Sequence, residues 1–389
     1  MDLSFTPDEE RFRAQLRAWL ADNVPPRWRS PSFWAGVPEA DAFELRRNWE
    51  RLRHSAGFAG ISLPREYGGR GGTPGMQAIH DEESARARVP HSVNQIGLTF
   101  LVPTVMAVGT DEQKREIIPL LLRNDVIWCQ GFSEPGAGSD LAALRTTGVL
   151  DGDEFVVTGQ KVWTTNAAHG DKIFMLVRTE PGSQRHHGLS MLLVDMRQDG
   201  VEARPLRQMS GVSEFGEVFF TDARVKVTDC LGGVGNGWAT AMLLLSFERG
   251  ASGLAQYTAF RRQFDEIVAA APPGRLDDPV LRQRLAQRIV DLECLRYHAM
   301  HVLTQVEQGE ELGAGSSLTK LQWSQTHQQL WETFDDLLGP EATLARPDPD
   351  TDLRAMHREA MWSRSVTIWG GSSQVQRNIV AERVLGLPR

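Results

Sequence analysis

Apolar positions divide the chain into three stretches with different periods. Up to about residue 125 they recur at helical spacing. Phe12, Leu16, Trp19 and Leu20 share one face of a helix that Thr6 and Pro7 start. A Gly-rich connection, "GFAGISLPREYGGRGGTPG" over residues 57–75, interrupts the helices, which resume near Met76. In "GTDEQKREIIPLLL" a cap-type Thr110 precedes an acidic first turn. Over residues 126–228 the pattern shortens to β-branched and aromatic runs, "VIWCQGF", "EFVVTGQKVWTT", "KIFMLVRT", "LSMLLVD" and "VFFTDARV", parted by turns such as "DGDE" and "QDG". Beyond residue 236 helical periodicity returns. "GWATAMLLLSFERGASGLAQYTAFRRQF" is followed by segments near 279–308, 316–338 and 352–386, with a break at "ARPDPDTD". The expectation is an α+β multidomain protein: an N-terminal helical domain over 1–125, a middle β domain over 126–235 and a C-terminal helical bundle over 236–389.

A chain of 389 residues is long enough for two or three cores. Its net charge of −8, with no long basic run, argues against a nucleic-acid surface or an anionic-membrane patch. The three cysteines, Cys129, Cys230 and Cys294, fit no metal-binding spacing and read as free buried thiols. No metal site is expected. The N-terminal segment is charged from Asp2 and lacks a signal-peptide core, and no stretch reaches the roughly 18 apolar residues that span a bilayer. A cytoplasmic protein is expected.

Four segments carry candidate chemistry. In "QGFSEPGAGSD", residues 130–140, glycines and serines share a loop that can approach a planar ring or a phosphate, although it reads equally as a β-turn cluster. In "GQKVWTTNA", residues 159–167, the Trp163 indole offers a flat wall with threonine hydroxyls beside it; a strand with a buried tryptophan is the plain alternative. In "TIWGGSSQVQRNIVAERVLGLPR", residues 367–389, a double glycine precedes serines and an amphipathic helix whose start suits a pyrophosphate, or is simply a serine cap with a glycine hinge. Lastly, Glu248 in "AMLLLSFERGASGLA" has Leu244, Leu245, Ala251 and Ser252 three or four positions away. Desolvation there raises a carboxyl towards what a general base near neutral pH needs, unless a cation from another segment pairs with it.

Together and in this order, "LPREYGG", "SEPGAGSD", "GQKVWTTN" and "GGSSQVQRNIVAERVLG" resemble the acyl-CoA dehydrogenase family over nearly the whole chain. The resemblance implies a helical N-terminal domain, a middle β-barrel or sandwich and a C-terminal four-helix bundle, with FAD as cofactor. It assigns Phe132 and Ser133 to the flavin ring, Trp163 to one ring face and Thr165 to the flavin N5 edge. Ser139 goes to the phosphate or pantetheine part of the ligand, and Ser372 and Gln374 to the dinucleotide end of FAD. Gly370, Gly371 and Arg249 go to the substrate. The implied reaction is α,β-dehydrogenation of an acyl-CoA or acyl-carrier thioester, with electrons passing to an electron-transfer flavoprotein or similar acceptor. Many members keep the catalytic glutamate just before the last helix, where this chain has Gly370; a second branch keeps it before an arginine on the helix opening the C-terminal domain, where this chain has Glu248 and Arg249. That branch implies a branched or bulky acyl group.

Two family segments that reach a neighbour's FAD are altered. "RRQFDEIVAAAPPGRLDDP" replaces the usual Arg-x-x-Phe-Gly, and "DDLLGPEATL" keeps only Gly339 of Gln-x-x-Gly-Gly. The expected assembly is a homo-oligomer, a dimer or tetramer in which Arg261 or Arg262 takes over phosphate contact, or a hetero-oligomer with a related subunit. Alternative readings on the same fold are a flavin monooxygenase, against which Glu248 argues, and the supporting subunit of a heteromeric enzyme.

Overall fold

The computed structural model describes residues 4–247, 253–310, 312–343 and 352–388. In chain order the helices α1 (Pro7–Asn23), α2 (Pro31–Gly36), α3 (Glu39–Ser55), α4 (Pro74–Arg86), α5 (Val102–Val108) and α6 (Asp111–Leu122) come first. The strands β1 (Trp128–Gly131), β2 (Thr147–Asp151), β3 (Glu154–Thr165), β4 (Lys172–Arg178), β5 (Leu189–Asp195), β6 (Val201–Leu206), β7 (Phe215–Lys226) and β8 (Cys230–Leu231) follow. Then come α7 (Gly237–Phe247), α8 (Gly253–Ala269), α9 (Pro279–Glu307), α10 (Ser316–Leu338), α11 (Asp352–Ser363) and α12 (Ser373–Ile379). They form two compact units: the described residues of 43–69 and 91–248, and those of 1–42, 70–90 and 249–389.

The first unit is built on one eight-stranded sheet in the order β6–β7–β3–β2–β4–β5–β8, with β1 added parallel to β4. The apolar runs of β4 and β5 are continuous because both of their faces are covered. Phe174, Leu176, Leu189 and Met191 pack with Leu101, Val102, Val105, Ile118 and Leu244 from α5, α6, α7 and the turn before α5. On the opposite face Ile173, Met175, Val177, Leu192 and Val194 pack with Phe155, Val157, Val218 and Phe220 of β3 and β7. The period-two alternation of side chains sorts one run into two cores.

The second unit is helical. Helix α1 packs on α4, α4 on α8, α8 on α9, α9 on α10 and α10 on α11. Phe260, Phe264, Leu292, Leu295, Leu330, Trp331 and Phe334 fill its core. Thr6 caps α1 through a full capping box with Glu9. Between α1 and α4 lies an ion cluster: Arg13 donates to Glu82 and Glu83, both at 2.8 Å, and Arg17 grips Glu83 with two bonds of 2.7 and 2.8 Å.

Three expectations change. Cys129 and Cys230 are buried, but Cys294 is exposed, on the outer face of α9 with Val290 and Tyr297. The terminal amphipathic helix is shorter than its sequence pattern: α12 has seven residues and passes into a wider π-type turn over Val380–Val384. Segment 352–386 is therefore two short helices, parted by the β-branched and Gly-rich "VTIWGG". The periodic stretch from 237 to 264 is seen as α7 and α8, with residues 248–252 outside the described residues.

The Glu83 carboxylate is buried, which alone raises its pKa, but hydrogen bonds from Arg17 and Arg13 outweigh this and hold it low. A depressed carboxylate contributes stability that is complete above its unfolded pKa and lost as pH falls through the folded one. Arg13→Ala should cost about 2–3 kcal/mol, the scale of lost hydrogen bonds to a buried charge. The more exposed Arg17 should cost less. Denaturant titrations should show both deficits at neutral pH and should show them shrinking as pH drops below the ordinary carboxylate range.

Candidate active site

The "SEPG" loop and the "KVWTT" strand belong to one structure because of a buried ion pair. Lys161 in β3 is fully buried, and its Nζ donates to Glu134 Oε1 at 2.8 Å and to the Phe132 carbonyl at 3.3 Å. The other edge of Glu134 accepts from the Arg145 N–H at 2.6 Å, and Oε1 also accepts from the Thr146 N–H at 3.0 Å. The Val162 N–H donates to the Ser133 carbonyl at 2.9 Å. Burial pushes the Lys161 ammonium down to about 8, against the opposing pull of Glu134. Burial would raise the Glu134 carboxyl, but Lys161 more than reverses this and keeps it low. The pair is a charge-assisted tie between two segments 27 residues apart.

Just beyond Lys161 the strand is irregular. Its pairing with β7 shifts register between Lys161 and Thr164, and Trp163 has a φ of +60°. Left-handed backbone at a bulky residue is strained, and a bulge of this kind re-aims its side chain. Lys161 therefore points inward while the Trp163 indole stands 59% exposed, touching Phe215 edge-on at 6.0 Å. The expectation of a buried tryptophan as the plain alternative fails here. The indole is therefore not part of the core.

The other residues assigned from sequence in this unit divide by what they can offer. The Phe132 ring is core, packed edge-on against Phe174, so only its main chain is available. The Ser133 and Thr165 hydroxyls make no hydrogen bond among the described residues, and Ser139 is exposed. Glu134 and Ala137 close a tight turn by exchanging two backbone bonds of 3.0 Å, which lifts Pro135 and Gly136 outward. Gly131 is required by packing, because a Cβ there would meet Ile173 Cδ1 at 2.7 Å. Gly136 and Gly138 have open space. Lys161 and Glu134 were missed as functional residues; the signal was a lysine inside an otherwise apolar strand and a glutamate inside a turn.

In the helical unit Gly370 and Gly371 have φ of +67° and +90°, which side chains resist. Gln376, fully buried, donates Nε2 to the carbonyls of Gly370 at 2.9 Å and Gly371 at 3.4 Å. The N–H groups of the two glycines have no partner among the described residues. Ser372 is an ordinary cap whose hydroxyl accepts from the Val375 N–H at 3.3 Å, and Gln374 is exposed. Of the two arginines proposed for phosphate, Arg262 is committed to the Ala85 carbonyl and lies 3.6 Å from Glu266, while the more exposed Arg261 donates to Asp265 at 3.3 Å and lies over the Phe264 ring. Gly339 ends α10, and Arg275 binds the Leu337 carbonyl beside it at 3.0 Å. Glu248 and Arg249 lie outside the described residues. Among the described residues no group of acidic, histidine or cysteine side chains could hold a metal ion, and no helix is long and apolar enough to cross a membrane.

Comparison with known proteins gives this architecture its class. Family models for the acyl-CoA dehydrogenase N-terminal, middle and C-terminal domains match residues 6–125, 129–223 and 235–385. The chain belongs to the acyl-CoA dehydrogenase family, whose general reaction is FAD-dependent dehydrogenation. Among its relatives is the acyl-CoA dehydrogenase IpdE1 of Mycobacterium tuberculosis, 43% identical over 385 residues and 98% of both chains. FadE26 of the same organism is 32% identical over 100% of this chain and 99% of its own. Among solved structures, the Tcur3481–Tcur3483 steroid ACAD superposes with a TM-score of 0.86 at 31% identity, over all of both chains. The ChsE4–ChsE5 complex from Mycobacterium tuberculosis does so with 0.83 at 31%, also over all of both.

The two strand residues predict opposite phenotypes. Lys161→Met strands a buried carboxylate and should cost about 3–5 kcal/mol of stability, read as a fall in the denaturant midpoint. Trp163→Ala should leave the midpoint and far-UV spectrum close to wild type and lower the flavin bound per chain. Unchanged flavin occupancy in Trp163→Ala would remove the indole from the cofactor site.

Proposed function

We propose that this chain dehydrogenates a bulky acyl-CoA thioester between Cα and Cβ, with Glu248 as the base. The observation that carries the reading is the Gly370–Gly371 turn. Where many family members place a carboxylate, this chain has positive-φ glycines whose two N–H groups have no partner among the described residues. Such a turn supplies hydrogen bonds to a thioester oxygen and cannot supply a base, which leaves that role to Glu248.

The residues present fit FAD: an exposed indole for a flat ring, with Ser133 and Thr165 hydroxyls that make no hydrogen bond among the described residues for its polar edge. Bound FAD supplies the acceptor for the hydride leaving Cβ. In this reading Trp163 covers one ring face, Thr165 donates towards N5, and Ser133 and the Phe132 main chain hold the ring edge. Ser372 and Gln374 hold the dinucleotide end. The Gly370 and Gly371 amides polarise the thioester carbonyl as the α-proton leaves, Glu248 receives that proton, and Arg249 and Ser139 contact the substrate.

A bulky, ring-bearing acyl group is favoured by the steroid ACAD among the structural relatives, and CoA is favoured over a carrier protein by the relatives' names. Electrons then pass to an electron-transfer flavoprotein or a similar acceptor. The assembly is an oligomer. The altered cross-subunit segments, the in-chain engagement of Arg262 and the two-protein titles of the structural relatives favour a related second subunit over identical copies. The domain boundaries 1–125, 126–235 and 236–389 stand as our reading of where the three domains meet.

Glu248→Gln keeps the volume and removes the proton acceptor. It should retain flavin and fold but reduce the flavin with acyl-CoA about 10²–10⁴-fold more slowly, measured by anaerobic stopped flow. A wild-type rate in this variant would contradict the assignment.

A further inference from the structure

The turn that presents the Gly370 and Gly371 amides has carbonyls tied from one side by Gln376, and α10 supports the segment that leads into it. Lys320 is only 4% exposed, and its Nζ donates to the Val366 carbonyl. The same ammonium lies 4.5 Å from the Trp323 ring centre and 4.4 Å from that of Trp369. The two indoles stand 5.5 Å apart at 45°, so the cation is held between them. Trp369, next to Gly370 in sequence, is further fixed by its Nε1 donating to Ser365 Oγ at 3.1 Å. The Ser373 N–H closes the loop on the Thr367 carbonyl at 3.0 Å. Val366 is fully buried, which anchors the start of the segment.

We propose that Lys320 is a positioning residue for the thioester: clamped between Trp323 and Trp369 and bonded to Val366, it sets the orientation in which the Gly370 and Gly371 amides meet the substrate carbonyl. The physical argument concerns degrees of freedom. Two consecutive glycines with positive φ form the most pliable backbone in the segment, and donors in an oxyanion site act only when preorganised. Gln376 restrains the carbonyls of these glycines but does not restrain Trp369, which sets the direction of chain entry. A lysine ammonium over two indole faces has a strong, direction-dependent attraction to both, and burial keeps water from competing for it. The neighbouring carbonyl gives it a third fixed partner. A methionine of similar length would keep the apolar stem packing and lose the attraction to both indoles and to the Val366 carbonyl. An arginine would keep the charge and a donor.

This inference rests on the reading that the glycine amides bind the thioester, and the test separates the two. Wild type, Lys320→Met and Lys320→Arg holoenzymes, matched for flavin content, are mixed with a saturating 3-arylacryloyl-CoA. The absorption band of this probe moves to the red when hydrogen bonds polarise its carbonyl. Steady-state kcat and KM are measured alongside with the acyl-CoA that wild type oxidises fastest. Lys320→Met should lose most of the red shift and about 10²-fold in kcat, the scale of a small misplacement of a reacting group, while KM stays nearly constant. Lys320→Arg should recover part of both. A full red shift and a wild-type kcat in Lys320→Met would overturn the positioning role. A wild-type enzyme that turns over acyl-CoA without any red shift overturns the glycine-amide reading, and this proposal with it. Should Lys320→Met fail to fold, Trp369→Leu, which removes one wall of the clamp, carries the same comparison with the same outcomes.

Discussion

The ion pair between Lys161 and Glu134 is the constraint on which the β unit's candidate site depends. A lysine fully removed from water inside a strand is tolerable only if a partner is fixed in place, and Glu134 is fixed by the backbone N–H groups of Arg145 and Thr146. The consequence spreads outward. Because Lys161 must face inward, the strand has to bulge to turn Trp163 outward, and the backbone at Trp163 takes a left-handed conformation. Because the same ammonium bonds the Phe132 carbonyl, the loop carrying Ser133 cannot drift from the strand carrying Thr165. A polar pair in the interior thus sets the positions of the exposed Trp163 indole and of the Ser133 and Thr165 hydroxyls, which make no hydrogen bond among the described residues. Its contribution is geometric, since a well-packed apolar pair of the same volume could be as stable.

The helical unit meets a similar requirement by different means. Its glycine turn lies between a buried glutamine that takes two carbonyls and a buried lysine that takes a third between two indoles. In both units a buried amphipathic side chain fixes a segment whose N–H or side-chain hydroxyl groups find no partner among the described residues. Unsatisfied groups at a glycine turn cost little in water and are available to a ligand that can replace the water.

Much of this could be read from the sequence, and what could not has specific causes. The three-part plan followed from the change of apolar period near residues 126 and 236, because helices and strands sort side chains at 3.6 and 2 residues. The four chemical segments were visible because glycine, serine and tryptophan clusters are unusual in plain turns and strands. Lys161 and Glu134 escaped notice because a single charged residue in a strand does not reveal its burial, and their contact spans 27 residues. Lys320 escaped for the same reason: its indole partner Trp369 lies on a different element, and i,i+3 spacing accounts only for Trp323. The exposed Cys294 and the short α12 show the limit of periodicity, which marks a helix face but says neither which face is covered nor where a β-branched, Gly-rich run ends the helix. The proposal of Glu248 as base rests on its sequence setting and family position alone.

We propose that this family member acts on a bulky acyl thioester and delivers its electrons to bound FAD. Anaerobic spectral titration of the purified flavoprotein, alone and with any co-purifying related subunit, against acyl-CoAs graded from short straight chains to ring-bearing groups tests this most directly. The predicted result is stoichiometric bleaching of the flavin by the ring-bearing thioesters and little or none by short chains. Failure of every acyl-CoA to bleach a fully flavinated sample, or bleaching confined to short straight chains, would contradict it.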